Sequence, residues 1–178
     1  FADELPHIKS VLAEGPSAER RDVLRHIAKE RIALIMDDSF IAAYASCADD
    51  EDARVRNEVA RQVGDRWIWS ADAQNAEAIA LLLRLSEDVE PEVRYNAVYF
   101  GLSTVRDKSD EVIRRLVQMA FDSREPNLYG RITWGLRADR ERAAELLQEY
   151  LDGSEPGRAK AAREVYKDIT GQEPPQEK

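Results

Sequence analysis

Apolar residues in this chain recur every three or four positions and nowhere alternate steadily with polar ones. Val23, Leu24, Ile27 and Ile35 follow that spacing. So do Val93, Ala97, Phe100, Gly101 and Thr104, while Tyr95, Asn96, Tyr99 and Ser103 fall on other sides of the same helix. The pattern predicts an all-α chain with almost no sheet. Turn and cap signals cut it into ten segments that pair off: 3–13 with 17–35, 38–48 with 51–65, 73–86 with 91–105, 110–122 with 126–138, and 141–152 with 156–170. Pro91, Pro126 and Pro156 each open the second member of a pair, at steps of 35 and 30 residues, and Pro16 plays the same part in the first. Proline suits a first turn, where its missing N–H costs nothing. Gly153 and Gly171 read as helix stops, and acidic residues at segment starts complement the exposed N–H groups there.

The pairs are degenerate copies of one unit. Asp50…Val55-Arg56…Ala60 and Asp88…Pro91-Glu-Val93-Arg94…Ala97 share a valine–arginine step at a spacing of 38 residues. Periods in this range indicate helical hairpins that stack because none can bury its apolar face alone. On these residues the chain resembles the HEAT-repeat family, in its short HEAT-like form. The first, fourth and fifth pairs keep less of the pattern. Tetratricopeptide repeats have a similar period, but their Trp and Leu-Gly signature is absent from the first helices.

The resemblance implies a right-handed α-α superhelix of about five hairpins over residues 1–171, followed by a disordered tail at 172–178. It implies buried valines, and arginines that brace a neighbouring repeat's acidic loop. Arg56 and Arg94 are then structural, paired with Asp50 or Asp88. The second helices would line a concave face. Because HEAT arrays are mostly binding scaffolds, the resemblance also implies a non-catalytic protein that takes a protein or peptide partner in its groove.

Charge gives that groove a sign. The chain has 178 residues, enough for one domain with a real core, and carries a net −9. Yet the second helices hold 17 of its 26 cationic residues and only 8 of its 35 acids. A locally basic groove on an acidic body is expected, suited to acidic or phosphorylated segments that arginines clamp through two hydrogen bonds. Stepping along the repeats gives Asn57 from Tyr95, and Arg61 and Trp134 from Tyr99; with Tyr95, Tyr99, Arg131 and Lys160 these are the expected binding residues of the groove, and by looser registers Arg21 and Arg25 extend the row at one end and Lys160 and Lys167 at the other. Two-sided burial in a middle repeat favours core packing for Tyr95 and Tyr99 over a ligand-facing role.

Other chemistry is thin. Cys47 is the single cysteine and sits in an apolar segment, which reads as a buried, inert thiol and fits a reducing compartment, with a cytoplasmic location favoured. His7 and His26 are isolated, and Asp49–Asp52 lacks the glycine and ligand alternation of a calcium loop. No cofactor and no metal is expected. No apolar run approaches the ~20 residues that span a bilayer, so no membrane partner is expected. Trp67 and Trp69 read as anchors of an inter-repeat connection rather than stacking platforms. The first residue is Phe1 rather than Met, so the true N-terminus is expected to lie outside this sequence.

Two alternatives stand beside the scaffold reading. One is a nucleic-acid-binding protein, akin to the alkyl-base DNA glycosylases built from HEAT-like repeats; Trp134 matches in kind, but residues 126–138 hold no aspartate and the overall acidity weighs against it. The other is a lyase-type HEAT-like accessory protein acting on a chromophore-bearing partner.

Overall fold

The computed structural model describes residues 2–30, 37–69, 74–123, 125–152 and 156–175. Ten α-helices appear among them and no strand: α1 (Leu5–Glu14), α2 (Ser17–Glu30), α3 (Ile41–Cys47), α4 (Ala53–Val63), α5 (Ala76–Leu85), α6 (Pro91–Asn96), α7 (Asp110–Asp122), α8 (Pro126–Arg137), α9 (Arg140–Leu151) and α10 (Pro156–Thr170). The expected end of the second segment at Ile35, the start at Ala73, the stop at Gly153 and tail residues Gln176–Lys178 lie outside the described residues.

Local chemistry sets the helix ends. Pro91 and Pro126 occupy the first turns of α6 and α8. Asn75, Ser109 and Glu125 each accept a backbone N–H one turn in, capping α5, α7 and α8. Gly171 takes φ 73° just after α10 and donates its N–H to the Lys167 carbonyl, a left-handed stop that only glycine adopts without strain.

The chain divides into two compact units, residues 1–104 and 105–178. In the first, α1 packs on α3 and α3 on α5, while α2 packs on α4 and α4 on α6. First helices thus stack on first helices and second on second, as a pile of hairpins requires. The core runs through Leu12, Leu24, Ile27, Tyr44, Val55, Val59, Val63, Leu82, Val93 and Val98, all essentially inaccessible to water. In the second unit α7 packs on α9 and α8 on α10, around Ile113, Leu116, Ile132, Leu136, Leu147 and Ala162.

Two second helices depart from simple α geometry. α4 runs on through π-helical turns over Gly64–Trp69, and α6 through π turns over Ala97–Gly101 and a 3₁₀ turn over Leu102–Thr104. The two wide turns nest against each other. A Cβ built on Gly64 would sit 2.7 Å from the Phe100 carbonyl carbon and 2.9 Å from the Gly101 nitrogen, so only glycine permits this approach of main chain to main chain. Of the two tryptophans on the first π segment, Trp67 is buried edge-on against Tyr44, ring centroids 5.3 Å apart. Trp69 stays exposed.

A row of arginines ties the hairpins of the first unit together. Asp50 Oδ1 accepts the Asp52 N–H and Asp88 Oδ1 accepts the Glu90 N–H, so each aspartate shapes the turn into its own second helix. Each also receives the arginine of the preceding repeat. Arg20 donates to Asp50 Oδ2 at 3.1 Å, and Arg56 clamps Asp88 through Nε and Nη2 at 2.6 and 2.9 Å. The same guanidiniums hold the loop before their own helix: Arg20 takes the Ala13 carbonyl, Arg56 that of Asp50, and Arg94 those of Asp88 and Val89. The Arg56 hydrogen bonds hold the Asp88 carboxyl below its ordinary pKa, against an opposing push from burial.

Candidate functional site

A chemically varied surface lies where α4 meets α6. Asn57, Arg61 and Asp65 follow one another at steps of four, so they share one stripe of α4 and its π extension. Asn57 Oδ1 accepts the Asn96 side-chain N–H at 2.6 Å, which fixes α4 against α6. Arg61 donates to Glu58 at 2.7 Å, and Glu58 also accepts from Gln62 Nε2 at 3.1 Å. Gln62 is buried and fully used: its Nε2 donates as well to the Leu24 carbonyl, and its Oε1 accepts the Tyr44 hydroxyl at 2.8 Å. This network orders the Glu58–Arg61 pair from beneath.

Tyr95 and Tyr99, one turn apart, stack with ring centroids 5.2 Å apart and planes within 11°. Phe100 meets the Tyr99 ring edge-on at 5.1 Å. Both tyrosines are half-buried, so the pair is neither sealed in the core nor fully solvated. Asp65 is solvent-exposed, yet the protein around it desolvates the carboxyl and raises its pKa above the ordinary range, with Arg61 opposing the shift. Stacked rings, a guanidinium and a carboxyl therefore lie along the two packed helices.

The remaining groove candidates belong to the second unit. The Arg131 guanidinium lies 4.7 Å from the centroid of the Trp134 ring, and Trp134 is 51% exposed. Lys160 is exposed on α10. Nearby, Tyr129 donates its hydroxyl to Asp168 at 2.6 Å; burial and that bond raise its pKa. The structure thus joins Asn57, Arg61, Tyr95 and Tyr99 in one unit, and Arg131 with Trp134 in the other.

Many second-helix cations already hold carboxylates: Arg20 with Asp50, Arg21 and Arg54 with Asp52, Arg56 with Asp88, and Arg61 with Glu58. Loop acids before α4 and α6 take up several of these cations and Glu58 of α4 takes Arg61, so the charge count alone overstates how basic the surface is. Sequence reasoning missed Arg20, although it sits 36 residues before Arg56 and so keeps the repeat step. It also missed Asp65, whose signal was its spacing of four from Arg61. Cys47 is buried, donates its thiol to the Leu12 carbonyl, and has its pKa pushed up to about 12 by burial. His26 pairs with Glu4 at 3.1 Å. Among the described residues no three His, Cys, Asp or Glu side chains converge as metal ligands would, and no helix is long and apolar enough to cross a membrane.

No protein-family model and no curated protein sequence matches the chain. Solved structures do. The chain is similar to the complex of CpcE and CpcF of phycocyanin lyase from Nostoc sp. PCC7120, at 17% identity and a TM-score of 0.58, over 93% of this chain and 64% of that one. It is also similar to an engineered protein, at 18% identity and a TM-score of 0.57, over 92% of this chain and 78% of that one. At such identities the likeness is one of fold, an all-helical repeat, and the chain spans less than two thirds of the lyase chain it matches. The match corrects the expectation of a non-catalytic protein. That expectation rested on reading a stacked-hairpin fold as a scaffold, and the same fold serves a lyase.

Proposed function

We propose that the chain is a HEAT-like protein of the lyase type, acting on a chromophore-bearing protein partner, with the α4–α6 surface as the seat of the chromophore. The observation that carries this reading is the parallel Tyr95–Tyr99 pair, half-open on a second helix that packs against the one bearing Arg61 and Asp65. Stacked phenol rings offer a flat, polarisable face, and offset stacking of a conjugated ring on such a face is worth about 1 kcal/mol beyond its buried area. Arg61 gives Nη2 to Glu58, which orients the guanidinium, and its other N–H groups supply donors for an acceptor substituent. Asp65 places a carboxyl acceptor further along the same stripe of that helix. The fold shared with the phycocyanin lyase complex supports the class of partner.

The test is spectroscopic. Mixing the chain with phycocyanin should shift or reduce the visible chromophore band. Tyr95→Ala with Tyr99→Ala should abolish the change, and the corresponding double Phe variant, which keeps both rings, should retain it. A visible spectrum identical to the sum of the separate components would overturn the reading.

A further inference from the structure

In a chain of net charge −9, α8 is exceptional: Pro126–Arg137 contains no Asp or Glu and two arginines. Glu125, immediately before it, is taken up by the Leu128 N–H at 2.6 Å as the helix cap. Positions 127, 130, 131, 134 and 137 recur at steps of three and four and form one stripe, turned away from buried Leu128, Ile132 and Leu136. On that stripe Trp134 keeps about half its surface in water, with Arg131 laid over the ring. Gly130 lies between them and the helix start. A Cβ there would meet nothing within 4 Å, and its backbone is not left-handed. Neither packing nor conformation calls for glycine, which weakens a helix interior. Its effect is to leave bare backbone on the same stripe as Trp134 and Arg131.

We infer that this stripe is a docking surface for an acidic segment of a partner protein, with a carboxylate taken by Arg131 and an apolar side chain laid on Trp134 over Gly130. Charge complementarity selects the occupant: a helix without acids, on an otherwise acidic chain, attracts a locally anionic peptide. Trp and Arg are the residue types that concentrate binding energy, and their mutual stacking restrains both side chains before the partner arrives, so less rotamer freedom is lost on binding. A nucleic acid fits less well, because two cations on a net-negative chain make few phosphate contacts. The inference is independent of the α4–α6 reading and of every structural comparison.

The probe is a fluorescein-labelled glutamate–tyrosine copolymer, followed by fluorescence anisotropy against the full chain at low salt. Saturable binding that weakens as salt rises is expected. Arg131→Glu and Gly130→Glu should each weaken it about tenfold, Trp134→Ala several-fold, and Lys29→Glu, the same charge change at an exposed site elsewhere on the chain, less than about twofold. Gly130→Ala should raise the melting temperature while weakening binding, a pairing that a purely structural glycine does not give. Because Gly130 faces open space, its variants fold and decide the matter even if Arg131→Glu does not. Absence of binding by the wild type, wild-type affinity in Gly130→Glu, or tighter binding of a single-stranded RNA of matched charge would overturn the inference, the last by assigning a nucleic acid.

Discussion

Arg56→Ala tests the principle by which neighbouring hairpins hold together. Arg56 makes four hydrogen bonds, two to the Asp88 carboxylate and two to the carbonyls of Asp50 and Glu51. The side chains of the ion pair are only 12% and 8% exposed. Breaking a buried pair from one side costs about 3–5 kcal/mol, because the partner charge is left desolvated. The residual exposure, and the Glu90 N–H that Asp88 keeps, pull the expected loss to the lower end, about 3 kcal/mol. For a chain of this size that lowers the melting temperature by roughly 6–12 °C. The sign of the pH dependence follows from Asp88. Its folded pKa lies below the unfolded value, chiefly through its hydrogen bonds to Arg56, so the pair stabilises the protein above about pH 4 and the contribution is lost as pH falls through the lower, folded value. Urea titrations of both proteins at neutral pH and at stepped acid pH values should show a gap that narrows on acidification. A loss below about 1 kcal/mol, the level of a surface pair, or a gap unchanged across that acid range, would refute the argument.

Gly64→Ala should destabilise by about 2–3 kcal/mol, since its Cβ would strike the main chain of Phe100 and Gly101, which cannot swing aside as a side chain can; an unchanged denaturation midpoint would mean the two π turns are not in tight contact. Lys108 is 2% exposed and donates to the Val105 carbonyl and to Asp139, so Lys108→Ala should cost about 3 kcal/mol in thermal or urea unfolding; a loss within surface-mutation range would contradict that. Tyr44→Phe leaves Gln62 Oε1 without its buried donor and should cost about 1–2 kcal/mol in the same titrations. The Cys47 thiol, buried and with its pKa near 12, should resist a disulfide reagent at pH 8 until denaturant is added; reaction of the native protein at the rate of a free thiol would count against the buried placement.

The hairpin plan was written in the order of residues. Apolar spacing marked the helices and the prolines marked where second helices begin, because both are local: a period of three to four and a fixed φ act within a single turn. The family resemblance implied that the repeat valines are core, and Val55 and Val93 are both buried. Which partner each arginine takes was not local. Arg56 lies within reach of Asp50 and Asp88 in the repeat logic, and only the stacking of one hairpin on the next gives it the carboxylate of one and the carbonyl of the other. The same stacking paired loop acids with helix cations and reduced the positive surface that a residue count suggested.

Tertiary structure alone produced the features on which the site depends. The π turns of α4 and α6 arise where two backbones approach at Gly64 and Gly101, a contact between residues far apart in sequence that no single-helix pattern encodes. The raised pKa of Asp65 is likewise a property of the protein packed around it and not of its own segment. What the sequence by itself determined is that helices form, where they start and which face each turns inward, since these follow from backbone stereochemistry and the burial of apolar area. Where charges meet, where a helix widens and which aromatic rings stay open to solvent were decided only when hairpins packed, because those energies depend on distances between residues brought together by the fold.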